Sequence, residues 1–388
     1  MSDGQAPGGT PLLAGRYRIG ARLGSSVDIT LMDAFDERLG RQVVVRLVHP
    51  DLSGMATVQE QFKQLLLAVE GVRHPNLPLL YDFGRAPWNG RVVLYTVGER
   101  LDGGSLRDLI DRGRALSASQ VVLLGIEACK ALDALHRQGI VHGDVRPGTL
   151  VFGSDTRVRL TDAGLATILD GVSGGAATRI NDVAKYASPE AAVGSRLVPQ
   201  SDIYSLCLTL VEALTRTVPF VGESTAATLA NRVDRLLPVS AEFGPLAAVL
   251  ERAGRPNWSD RWTAVEFARA LAGAAGSLPP PEPLRLVSAA GEADAAETTS
   301  APAADVATEP AADPLPEVVN PELAALVIGD PTSDIPMLPI DITVADGSGT
   351  LPFVRRRRGR RRRYESRHRG RSARRPRGPR PRGRRPGR

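Results

Sequence analysis

From Tyr17 to about Pro50 the chain reads as short apolar runs, Tyr17 to Leu23, Ile29 to Phe35 and Gln42 to Val48, broken by Gly24-Ser25-Ser26 and by Glu37-Arg38-Leu39-Gly40. That pattern predicts a β-meander. Val58 to Val69 changes to helical spacing, and Leu79 to Phe83 and Val92 to Val97 return to strand character. The first hundred residues therefore predict a sheet with one prominent helix. After Gly103-Gly104 the pattern becomes helical: Val121, Leu124, Ala128, Leu132 and Leu135 share one face between a cap at Ser117 and a stop at Gly139. Further helices are expected over Ser201 to Thr215, Thr225 to Leu237, Pro245 to Ala253 and Thr263 to Ala274.

Composition changes the picture beyond Gly276. Pro279-Pro280-Pro281 opens a stretch of Ala, Pro, Glu, Asp and Thr that cannot bury enough apolar surface to offset the entropy of ordering it. The chain carries a net charge of +6. Residues 355–388 hold 19 Arg and one acid (Glu365), residues 277–354 hold 13 acids and one base (Arg285), and residues 1–276 hold 29 charges of each sign. The expected organisation is a flexible N-terminus over 1–15, a folded region over 16–276, an acidic linker over 277–354 and a disordered Arg-rich tail over 355–388. Cys129 and Cys207 both fall in apolar helical patterns, which argues against a disulfide framework or a cysteine metal site and for a reducing compartment. No run reaches the roughly 18 apolar residues of a spanning helix, and Met1 to Gly9 lacks signal-peptide regions. A soluble, cytoplasmic protein is expected, with a membrane-peripheral placement left open by the tail.

The candidate chemistry lies in Val141-His142-Gly143-Asp144-Val145-Arg146-Pro147-Gly148-Thr149, followed by Asp162-Ala163-Gly164, Ser188-Pro189-Glu190 and Ser201-Asp202. Upstream stand Val43-Val44-Val45-Arg46, His74-Pro75-Asn76-Leu77 and Asp102-Gly103-Gly104-Ser105-Leu106-Arg107-Asp108. In this order the segments resemble a protein kinase, and most closely the eukaryotic-like Ser/Thr protein kinases of bacteria, over about residues 16–273. The resemblance implies an α+β, two-lobed protein-kinase-like fold, with a small β-rich lobe over about 16–100 and a larger helical lobe over about 101–276. It places Asp144 as the catalytic aspartate and Asp162 as the Mg²⁺ ligand. Gly24, Val44, Arg46, Glu99, Leu101, Arg146 and Thr149 fall at nucleotide- or cofactor-binding positions for ATP and Mg²⁺.

Several positions depart from that pattern. Arg46 stands where the family has a lysine, and the helix glutamate that would hold it aligns with Leu65. Glu60 and Glu70 are no obvious replacements. The phosphate-covering loop keeps only Gly24 of three glycines and gains Asp28; Thr149 replaces the second metal ligand. Val44 adds bulk above the adenine position, while Gly98 removes a side chain just before the hinge Glu99-Arg100-Leu101. Gly143 replaces the arginine that would clamp a phosphorylated loop, and Val183 replaces a threonine of the activation segment. Ser173 and Thr178, with Arg179 nearby, remain as modifiable hydroxyls.

The structural anchors persist: Glu190 and Arg261 at a buried ion-pair position, Asp202 beneath the catalytic loop. This asymmetry leads to the expectation of a pseudokinase or regulatory scaffold with weak or absent phosphoryl transfer and weakened ATP and Mg²⁺ binding. The alternatives are a slow Ser/Thr kinase using Asp144 and Asp162, and a tail-driven binder. Expected partners are a protein or a protein Ser/Thr substrate, with nucleic acid or an anionic membrane open through Arg355 to Arg388.

Overall fold

The computed structural model describes residues 11–113, 115–173, 181–284 and 286. Strands β1 (Leu12–Leu13), β2 (Tyr17–Ser25), β3 (Ile29–Asp36), β4 (Arg41–Val48), β5 (Leu80–Trp88) and β6 (Arg91–Gly98) form one antiparallel sheet in the order β1-β2-β3-β4-β6-β5. Alternation along β4 divides its side chains between two faces. Val43, Val45 and Leu47 join Tyr17, Ala34, Val93, Tyr95 and Val97 in one core. Val44, Arg46 and Val48 belong to the opposite face. Between β4 and β5 lie the short helix α1 (Pro50–Ser53) and α2 (Ala56–Glu70), which buries Val58, Phe62 and Leu66 at four-residue spacing. Pro87 is tolerated in β5 because that strand is at the sheet edge.

The helical lobe is built on α3 (Leu106–Asp111) and α4 (Ala118–His136). Both begin with reciprocal caps, Ser105 with Asp108 and Ser117 with Gln120, which satisfy backbone N–H groups that no helical turn can reach. The face predicted for α4 is buried throughout. Next come the small hairpin β7 (Leu150–Phe152) and β8 (Val158–Leu160), α5 (Leu165–Ser173), α6 (Asn181–Ala184), α7 (Pro189–Ala192) and α8 (Pro199–Thr215). Helices α9 (Thr225–Ala230), α10 (Pro245–Ala253) and α11 (Ala264–Ala275) complete the lobe. Gly125 lets α4 approach its neighbours closely, since a Cβ there would lie 2.8 Å from Leu271 Cδ1 and 2.9 Å from Leu210 Cδ1.

Three boundaries differ from expectation. Leu13 is fully buried and pairs with Tyr17, so the chain is anchored inside the segment expected to be flexible over 1–15. At the other end, Leu278, Leu284 and Leu286 pack against the helical core, and Gln120 Nε2 donates to Glu282 O at 2.9 Å. The expected boundary at 276/277 therefore falls inside packed chain. The helix expected over Thr225 to Leu237 stops at Ala230; the chain then turns over 231–234, where Asp234 takes a positive φ of 54°. Thr178, Arg179, linker residues 287–354 and the Arg355 to Arg388 tail lie outside the described residues, as do the side chain of Ser173 and residues 1–10.

Candidate interlobe site

Strand register places the upper half of the site. Gly24 pairs with Leu31, Leu31 with Arg46 and Arg46 with Thr96, forming one row across four strands. The adjacent row runs Asp33, Val44, Gly98 and Leu80. Directly paired residues share a sheet face, so Val44, Arg46 and Gly98 lie on the face opposite the sheet core. A Cβ at Gly98 would lie 3.9 Å from Arg46 Nη1. The guanidinium of Arg46 thus occupies space beside a residue that has no side chain.

The lower half rests on Asp202, whose carboxylate accepts the His142 and Gly143 N–H groups and a ring N–H of His136, each at 2.8 Å. His142 Nε2 donates to Thr161 O at 2.7 Å, leaving Nδ1 to accept the Asp144 N–H at 3.2 Å. These contacts hold the loop that carries Asp144. Asp144 is gripped in turn by Arg146, whose Nε lies 3.0 Å and 3.1 Å from the two carboxylate oxygens. Burial opposes the charge on Arg146, but Asp144 beside it and Asp162 further off reverse that effect and raise its pKa.

Asp162 ends the strand–turn segment after β8 with a positive φ of 68°, and Gly164 follows at 73°. Its carboxylate forms an ion pair with Arg46 Nε across the lobes and accepts the Thr161 hydroxyl at 3.0 Å. Burial pushes the Asp162 carboxyl up; Arg46, the Thr161 hydroxyl and Arg146 outweigh it and hold the group below the ordinary carboxylate range. Arg46 and Asp162, and Arg146 and Asp144, therefore neutralise one another in pairs.

Leu65 lies where the resemblance puts the helix glutamate. A Cβ at Gly164 would be 2.6 Å from Leu65 Cδ1, so this position of α2 does face the Asp162–Gly164 turn, with a hydrocarbon instead of a carboxylate. Glu60 is exposed and accepts from Gln64, and the carboxylate that pairs with Arg46 among the described residues is Asp162. Just after the turn, α5 buries Leu165, Ile168 and Leu169 in a cluster with Val58, Phe62 and Leu66 of α2 and Val48 of β4. Gly143 also borders α5: its φ is 76°, and a Cβ there would lie 2.8 Å from Thr167 Cγ2.

The residues present do not fit a divalent metal. Asp162 is already paired with Arg46. Thr149, expected to contribute a ligand, is fully buried, and its hydroxyl lies 2.9 Å from Asp144 O and 3.0 Å from Arg146 O while accepting the Arg146 N–H at 3.1 Å. The hydroxyl is buried and engaged within the 3₁₀ turn Pro147–Thr149, which disfavours the binding role its motif position implies. Among the described residues no group of three His, Cys, Asp or Glu side chains is placed to hold a metal.

At the hinge, Glu99 is tied into the protein. Its N–H donates to Leu79 O at 2.9 Å, and its carboxylate accepts the Leu79 N–H at 3.1 Å and stands 3.5 Å from Arg159 Nε. Arg100 pairs with both Asp33 of β3 and Asp102. Leu101 is half-buried beside them, and Gly24, next to the end of β2, has open space where its Cβ would point. The structure thus gathers Arg46, Asp162, Asp144 and Arg146 into one charged cluster, with Gly24, Val44, Glu99 and Leu101 around it and Thr149 turned into its own loop. Sequence reasoning missed the pairing of Arg46 with Asp162, the Arg100–Asp33 bridge and helix α5. The signal available was Arg46 itself, a cation without its helix partner.

The family model of the protein kinase domain matches residues 19–265. The chain belongs to the protein kinase family. Serine/threonine-protein kinase PknB of Mycobacterium leprae is 31% identical over 286 residues, covering 72% of this chain and 46% of that protein. The PknB of Mycolicibacterium smegmatis is 32% identical over 263 residues, covering 66% and 42%. A Streptomyces coelicolor protein described as "Probable serine/threonine-protein kinase" is 34% identical over 236 residues, covering 60% and 35%. The chain thus spans less than half the length of these curated relatives. A crystal structure of the Mycobacterium tuberculosis PknI kinase domain superposes with a TM-score of 0.55 at 22% identity, covering 70% of this chain and 100% of that one, a likeness of fold. Among the described residues of this kinase-family chain, no helix is long and apolar enough to cross a membrane.

The close seating of Leu65 makes Gly164 a sensitive position in this kinase fold. Gly164→Ala is expected to destabilise the chain by about 1–3 kcal/mol, because the methyl meets Leu65 and the backbone is left-handed. Urea denaturation of the full chain measures it; a change below about 0.5 kcal/mol would show that α2 yields freely at this point.

Proposed function

We propose that this chain is a regulatory member of the Ser/Thr protein kinase family, a pseudokinase with weak or absent phosphoryl transfer. Protein kinases transfer a phosphoryl group by positioning ATP and Mg²⁺ with a strand lysine, a helix glutamate and two metal-binding side chains. One observation carries the reading. Arg46 is paired with Asp162 while Leu65 fills the helix position, so the groups that would orient a metal–triphosphate are bound to each other. Beside Asp144 the structure keeps a small depression lined by Gly143, Val183, Tyr186, Ser188 and Leu197, where the loop-phosphorylation residues of the family are absent. A protein partner that docks there without being phosphorylated suits this arrangement.

The test is a thermal-shift titration of the full chain with ATP plus Mg²⁺ or Mn²⁺, together with transfer of radiolabelled γ-phosphate to protein hydroxyls. A ligand present at 100 times its Kd adds about 2.7 kcal/mol to native stability, roughly 5–10 °C for a domain of this size. The expected shift is below about 1 °C, with transfer no greater than that of Asp144→Asn. Transfer well above that variant would establish instead the slow Ser/Thr kinase that uses Asp144 and Asp162.

A further inference from the structure

The carboxylate that a protein kinase would offer to a metal already holds a cation in this chain, and that cation is part of the polypeptide. Arg46 reaches it by lying beside Gly98. On the shared sheet face, a Cβ at residue 98 would stand 3.9 Å from Arg46 Nη1 and 3.3 Å from Leu79 O, so a longer side chain would run into the guanidinium. The φ of Gly98 is not left-handed, so its torsion permits a side chain once Leu79 O gives way by a few tenths of an ångström. Residues 46 and 98 are therefore complementary: a larger cation where the family has lysine, and a missing side chain next to it.

We propose that Arg46 and Gly98 together determine which cation this cleft takes, with the Arg46 guanidinium serving as the permanent counter-ion of Asp162 and excluding a divalent metal from it. The inference rests on the reading above that the Arg46–Asp162 pair replaces the nucleotide grip. Three observations support it. The four charges Arg46, Asp162, Arg146 and Asp144 sum to zero, so no net negative potential draws in a divalent ion. A guanidinium does not lose its proton in a protein, so it stays charged beside Asp162, and any incoming metal would meet a like charge at contact distance. Thr149, which could have supplied a second oxygen, is fully buried with its hydroxyl engaged in its own turn.

The experiment is a Mn²⁺ titration of the full chain, read from the electron paramagnetic resonance of free Mn²⁺. Asp162→Asn serves as the reference, so that binding by the acidic linker cancels. Wild type and Asp162→Asn are expected to give the same isotherm. Arg46→Met, which keeps the length and removes the charge, is expected to gain one site at least tenfold tighter than any in wild type, and to lose it on adding Asp162→Asn. Gly98→Met is expected to gain the same site by displacing the guanidinium, and it provides a second route if Arg46→Met folds poorly. A wild-type site that Asp162→Asn removes would overturn the proposal, as would a folded Arg46→Met or Gly98→Met chain that gains nothing. Phosphoryl transfer is not part of this readout, so an active enzyme would sink the regulatory reading while the isotherms decide the cation separately.

Discussion

Glu190→Ala will destabilise the chain by about 3–5 kcal/mol, the cost of leaving one member of a buried ion pair alone. The Arg261 side chain is fully buried, and all five of its N–H donors are engaged: two with Glu190, at 2.7 and 3.2 Å, and the others with the carbonyls of Arg255, Pro256 and Gln200. Its guanidinium also lies over the ring of Tyr204, 4.8 Å from the centroid. Truncating Glu190 leaves this cation in the interior with carbonyl dipoles but no counter-charge. For a domain of this size the loss lowers Tm by roughly 6–20 °C. Thermal and urea denaturation of the full chain measure it. The double variant Glu190→Leu with Arg261→Met should recover part of the loss, because it removes both desolvated charges at once while leaving three carbonyls without their donor. A single-variant effect below about 1 kcal/mol would mean that water reaches the pair, contrary to its burial.

Asp202→Ala is expected to destabilise the chain by about 2–6 kcal/mol through the two backbone amides it leaves without an acceptor. The carboxylate receives the N–H groups of His142 and Gly143 and a ring N–H of His136. Each buried donor left without an acceptor costs about 1–3 kcal/mol. The effect should be local in origin: amide hydrogen exchange at His142 and Gly143 should accelerate far more than along α4, because those two amides lose their partner directly. Asp202→Asn, which keeps one acceptor oxygen, should lose about half as much. Equal exchange at both amides in wild type and Asp202→Ala would show that the loop is held by something other than this carboxylate.

The elements legible in the sequence were those with strong periodicity. Strands β2, β3, β4 and β6 and helices α2, α4, α8, α10 and α11 lie within a few residues of their expected bounds, because alternation or a 3.6-residue stripe fixes which face is buried. What was missed is short or set by tertiary contact. Helix α5 follows Asp162-Ala163-Gly164 in a segment for which no helix was expected; its Leu165, Ile168 and Leu169 find their partners on α2, about a hundred residues away in sequence. The site shows the same division. Positions Arg46, Asp144, Arg146 and Asp162 were readable from their motifs, whereas the choice Arg46 makes between carboxylates depends on the room beside Gly98. Thr149 illustrates the converse: its motif position suggests a ligand, and the structure buries its hydroxyl and engages it with Asp144 and Arg146 of its own loop. Gly143 and α5 fit as a pair, since the side chain absent at 143 leaves the space beside Thr167.

The arginine at position 46 also governs how this protein can be detected. Chemical probes that acylate an amine beside the triphosphate depend on a lysine that spends part of its time unprotonated and nucleophilic, and a guanidinium offers no such lone pair. The chain's lysines are Lys63, Lys130 and Lys185, none of them in the interlobe cluster. Surveys that count kinases by covalent labelling at that amine will pass over this chain whether or not a nucleotide enters it, and silence in such a survey carries no information about occupancy.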